Sequence, residues 1–159
     1  MKVRCVSNSG MDLRPYEYEQ IGEDIFGRFG ASAYTRYGIE IGRVYLVMGI
    51  IIYQTYQAYL IDDDGCILSC PCQLFEVLDE RLIFNWEFRT IGKDEGIYPF
   101  VQAIFGYTEL CTDKKSYENL IIEKDEYARQ MYFKRKIEFE NEYCIIEKKV
   151  YSKLTLDIN

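Results

Sequence analysis

The chain has 159 residues, enough for one domain with a buried core. Hydrophobic residues make up 48% and charged residues 28%, with 15 Tyr, 9 Phe and 1 Trp, a composition that excludes a disordered chain. The net charge is −7 and histidine is absent, which removes the commonest general base, the Ser-His and Cys-His pairs and most zinc sites.

The charge is uneven. Residues 1–96 hold 15 acids and 9 bases, and residues 97–159 hold 11 acids and 10 bases. The first part should repel nucleic acid and attract a basic partner, although solubility alone asks for the same sign of charge. No apolar h-region follows Met1-Lys2-Val3-Arg4, and the longest apolar run, Val44 to Tyr53, is too short to span a membrane. A cytoplasmic protein is expected, with no membrane partner. The 6 cysteines are then expected to be reduced and mostly buried.

In chain order, Lys2 to Ser7 alternates like a first strand. Residues 11–38 are polar and dotted with glycine, with Tyr16, Tyr18, Ile21, Ile25, Phe26 and Phe29 spread among them. They read as a long excursion holding one short helix near Glu17–Phe26. Ile39 to Tyr53 is the strongest strand signal, with Gly42 marking a turn and Gly49 a bulge or bend. Gln57–Ile61 and Cys66–Cys70 flank Asp62-Asp63-Asp64-Gly65, which reads as a hairpin turn. Leu74–Val77 is a short strand or single turn, and Leu82–Ile91 another strand. Gly92–Gly96 is a break, and Pro99–Phe105 a short helix or an extended crossing. Tyr117, Leu120, Ile121, Lys124, Ala128, Met131 and Arg135 recur at helical spacing, so a helix is expected from Ser116 to about Glu142, capped by Asp113 or Ser116. Cys144–Tyr151 is β-branched and reads as a last strand, followed by a frayed end.

The chemical motifs are weak. Cys66, Cys70 and Cys72 share a strand face, but a zinc site would need a fourth ligand from elsewhere. The triplet at 62–64 lacks calcium-loop spacing, since the twelfth position from Asp62 is Gln73. No phosphate loop is present, and Lys134-Arg135-Lys136 reads as a solvated helix face. No metal or cofactor is expected. Tyrosines in or beside loops, at 16, 18, 34, 37, 53 and 56, are candidates for an exposed contact set.

Two stretches carry a resemblance. The first runs through Tyr34-x2-Tyr37, Gly42-x2-Tyr45-x-Val47-x-Gly49-Ile50, Tyr59-Leu60-Ile61-x-Asp63, Leu74-Phe75-Glu76-Val77-x-Asp79-x-Arg81-Leu82 and Trp86-x-Phe88. The second is Gly106-Tyr107-x-Glu109-Leu110 with Tyr117-x2-Leu120 and Ala128. Over roughly residues 34–135 the chain resembles small bacterial SH3-like barrel proteins of the immunity type, encoded beside polymorphic or contact-dependent toxins. The resemblance implies a stoichiometric inhibitor that buries a toxin's active site, and transfers no functional residue.

The expected architecture is α+β: a small SH3-like antiparallel barrel over 1–96 and a helical extension over 97–159, packed as a single compact unit. The expected activity is non-enzymatic neutralisation of a cognate toxin domain with a basic surface. Its expected contact residues are Asp62, Asp63, Asp64, Glu76, Asp79 and Glu80, with Tyr53 and Tyr56. The alternatives are an SH3-like module binding a peptide, RNA or small ligand, and a carboxylate-only enzyme needing two acids of divergent pKa.

Overall fold

The computed structural model describes the main chain of residues 1–82 and 85–156, and the side chains of that set as far as Lys148. Two antiparallel sheets and a helical layer make up the fold. Strand β1 (Lys2–Cys5) lies between β2 (Val44–Leu46) and β6 (Phe75–Asp79) in a three-stranded sheet. The five-stranded sheet has the order β5 (Cys66–Pro71), β4 (Gln57–Asp63), β3 (Gly49–Tyr53), β8 (Val101–Gly106), β7 (Glu87–Thr90). Both sheets are open; no closed barrel forms among the described residues. Helix α1 (Thr108–Thr112), a π-helical segment (Glu118–Ile122) and the long helix α2 (Glu126–Leu156) complete the chain.

Side-chain alternation places the five-stranded sheet between two cores. On β4, Ala58 and Leu60 join Tyr107, Leu110, Tyr117, Leu120, Tyr132 and Phe139 of the helical layer. Ile61 on the same strand joins Val3, Cys5, Tyr45 and Phe75 of the three-stranded sheet. The expected strand from Ile39 to Tyr53 is divided for the same reason. Val47 enters one core and Met48 the other, so β2 and β3 belong to different sheets. Gly42 lies in the turn before β2, while Gly49 opens β3 opposite Gly106 rather than forming a bulge.

The β4–β5 hairpin forms where its turn residues stand. Asp64 (φ 46°) and Gly65 (φ 87°) both have positive φ, the requirement of a type I′ loop, and Asp63 pairs with Cys66. Pro99–Phe105 takes the extended alternative as β8, between β3 and β7. Leu74–Val77 divides into a 3₁₀ turn, Cys72–Leu74, and β6. Of the strand expected over 82–91, only Glu87–Thr90 is a strand, and Ile83 and Phe84 lie outside the described residues. Residues 17–26 hold no helix; a 3₁₀ turn at Met11–Tyr16 precedes them.

The helix expected from Ser116 is interrupted. The π segment ends at Ile122, Lys124 turns the chain with a φ of 54°, and Asp125 caps α2 by accepting the Ala128 N–H on its carboxylate at 2.9 Å. From that cap, α2 runs through Cys144–Tyr151, where a strand was expected. Helix propagation is cooperative, so the β-branched pair Ile145-Ile146 does not stop it. No helix among the described residues is long and apolar enough to cross a membrane.

Candidate binding surface

The acidic residues expected to meet a partner are mostly neutralised from within. Asp62 is buried; its carboxylate lies 2.6 Å from the Lys136 Nζ of α2 and accepts the Tyr132 hydroxyl at 3.4 Å. Asp63 pairs with Arg43 and accepts the Tyr45 hydroxyl at 3.1 Å. Asp64 is exposed but pairs with the same guanidinium at 2.7 Å, and that bond holds its carboxyl below the usual range. Glu76 pairs with Arg4 at 2.9 Å. Asp79 accepts both Nε and Nη2 of Arg81, which lowers its pKa to about 2. Glu80 is exposed and has no ion pair among the described residues. These residues do not converge: 62–64 end the β4–β5 hairpin of one sheet, and 76, 79 and 80 lie on or beside β6 of the other.

The two tyrosines assigned to the same surface lie in the interior. Tyr53 is buried; its hydroxyl bridges Ser69 Oγ (2.9 Å) and the Tyr117 hydroxyl (3.0 Å). Its ring stacks on Tyr56 at 4.7 Å, and Tyr56 packs on Phe29 at 5.4 Å. Burial raises the phenol pKa of both.

The thiols offer no site either. All six are free, and Cys66, Cys70 and Cys72 differ in exposure, with Cys70 buried and pushed up to about 12 by that burial. Among the described residues, no three His, Cys, Asp or Glu side chains are placed to hold a metal ion.

A different surface emerges from the long excursion. Between Tyr16 and Val44 the chain forms no helix or strand ladder, only a single bridge from Ser9 to Arg36. Irregular segments of this length in compact domains are uncommon, and are usually either functional or linkers. This one is firmly held. Phe29, Ala31 and Ile39 enter the core. Gly10 donates to the Thr35 carbonyl at 2.8 Å, and a Cβ at Gly10 would stand 1.8 Å from the Ser32 carbonyl oxygen, so only glycine permits this approach.

Two arginines brace the excursion from inside. Arg14 donates to the carbonyls of Glu23 (2.8 Å) and Ile25 (2.7 Å). Arg28 lies over the rings of Tyr18 and Phe29, 4.7 and 4.6 Å from their centroids, and donates to the Thr55 carbonyl, which also accepts the Tyr18 hydroxyl. The Glu17 carboxylate accepts the Arg28 N–H at 2.8 Å.

The outer side of this lobe is aromatic and acidic. Tyr18, Phe26 and Tyr34 are 74%, 70% and 62% exposed, and Tyr16 and Ile25 are exposed as well. Glu19, Glu23 and Asp24 are also exposed and have no ion pair among the described residues. Tyr34 donates its hydroxyl to Glu23 Oε2 at 2.6 Å, which fixes the carboxylate beside the ring and raises the phenol pKa. Residues 16–34 hold four acids and one base, a net charge of −3. An open groove of about 610 Å³ along α2 also shows apolar atoms, at Phe133 and Ile137. Its rim balances Glu126 and Glu138 against Arg129 and Lys134, so it lacks this bias.

Sequence reasoning placed Tyr16, Tyr18 and Tyr34 in an exposed loop and missed Phe26, Glu19, Glu23 and Asp24. The available signal was the density of aromatic and acidic residues in a stretch without periodicity. Comparison with models of known protein families, with curated proteins and with solved structures finds no match.

Proposed function

We propose that the protein is an immunity-type inhibitor that neutralises a toxin domain by stoichiometric occlusion of a basic surface, and that the lobe of residues 16–34 is its contact face. One observation carries the reading: a long irregular segment is braced by arginine hydrogen bonds to its carbonyls and to Thr55, yet leaves Tyr18, Phe26 and Tyr34 exposed among carboxylates without an ion pair among the described residues. Rigid aromatic anchors bind with little loss of side-chain entropy, and acidic neighbours speed the encounter with a cationic partner.

The test is co-expression of the tagged chain with the product of the adjacent open reading frame. A stoichiometric, salt-sensitive complex that suppresses a toxic product is expected. No complex, or one untouched by Tyr18→Ala with Phe26→Ala, counts against the reading.

A further inference from the structure

We infer that the partner segment seated on the lobe presents arginine side chains, received by the exposed Tyr34 and Phe26 rings and by carboxylates that have no ion pair among the described residues; this rests on the reading above. The lobe already uses this chemistry once, where Arg28 covers the exposed Tyr18 ring and the buried Phe29 ring. On the outer side, the Tyr34 ring is exposed with Glu23 hydrogen-bonded to its hydroxyl, and Asp24 follows directly in the chain. Ile25 and Phe26 add exposed apolar area on main chain that Arg14 fixes at Glu23 and Ile25.

This pairing of ring and carboxylate suits a guanidinium better than an ammonium. A guanidinium is planar and weakly hydrated, so it can stack on the ring while two of its N–H groups meet a carboxylate. Charge complementarity selects the occupant. A nucleic acid is repelled by the lobe's net −3, and a second copy of the chain brings another −7. Asp62, Asp63, Asp64, Glu76 and Asp79 are already paired to Lys136, Arg43, Arg4 and Arg81, and only Glu80 of that set is not, so Glu19, Glu23 and Asp24 of the lobe gather more uncompensated charge than that set does.

The experiment titrates isotope-labelled full chain with a short arginine-rich peptide, and in parallel with matched peptides carrying lysine or serine instead. Amide shifts are expected at Glu19–Phe26 and Tyr34, with arginine bound more tightly than lysine and serine not bound. Glu23→Gln, Tyr34→Phe and Tyr34→Ala should each weaken arginine binding, the last by about fivefold, the scale of one exposed ring or ion contact. Glu123→Gln, an exposed acid outside the lobe, should leave it unchanged. Equal binding of arginine and lysine with shifts spread over Glu123, Glu126 and Glu142 overturns the inference, as does an absence of shifts in the lobe. Loss of toxin capture by Tyr18→Ala with Phe26→Ala, beside unselective peptide binding, defeats the arginine inference and leaves the docking reading intact.

Discussion

The Asp62 carboxylate lies 2.6 Å from the Lys136 ammonium, which ties the end of β4 to the first half of α2. Both side chains are largely removed from water, at 5% and 23% exposure. Removing one member of such a pair leaves the other charge unpaired, at a cost of about 3 kcal/mol. Asp62→Ala should therefore lower the thermal midpoint, and adding Lys136→Met should recover part of the loss. Reversing the charges of 62–64 should unfold the protein before it alters any contact face.

Tyr53→Phe removes the hydroxyl that joins Ser69 to Tyr117 and leaves the stacked ring in place. The expected loss is about 1 kcal/mol in urea unfolding. Partner capture should be unchanged, because the ring is buried away from the lobe surface.

Asp79 gives a pH signature. Its folded pKa, about 2, lies below the ordinary value of 3.8 because Arg81 donates to the charged form. The stabilisation is fully present above the unfolded value and is lost as pH falls from about 4 through 2. Asp79→Asn should flatten the acid limb of stability in that window and lower stability at neutral pH, as measured by unfolding at fixed pH steps.

The thiols should divide by burial. Cys66 and Cys144 are exposed and should alkylate in the native state, while Cys5, Cys70 and Cys111 should react only after unfolding. Burial raises the thiol pKa of all three, to about 12 at Cys70 and about 11 at Cys111. Mass spectrometry of trapped peptides reads this directly.

Features set by neighbouring residues were legible in the sequence. The turn needs positive φ at Asp64 and Gly65, which the chain itself supplies, so the hairpin was legible, although Asp62 and Asp63 continue β4 and the loop is two residues rather than four. The exposure of Tyr16, Tyr18 and Tyr34 followed from a stretch without periodicity. What failed depended on distant partners. Asp62 looks like a solvent-facing turn residue until Lys136 arrives from α2, and Asp63 until Arg43 arrives from the turn before β2. Tyr53 and Tyr56 flank a real turn, yet their rings fold back on Tyr117 and Phe29. The cap at Asp125 was masked by helical spacing that continues across the break at Lys124.

The most direct measurement is the affinity of the captured toxin domain for the wild-type chain and for Tyr18→Ala with Phe26→Ala, beside the thermal midpoint of each. A loss of at least about tenfold in affinity is expected, the scale of a hot-spot aromatic, with the midpoint lowered only by the loss of the Tyr18 contacts to Arg28 and the Thr55 carbonyl. Unaltered affinity, or a loss that tracks unfolding, would contradict the lobe as the contact face.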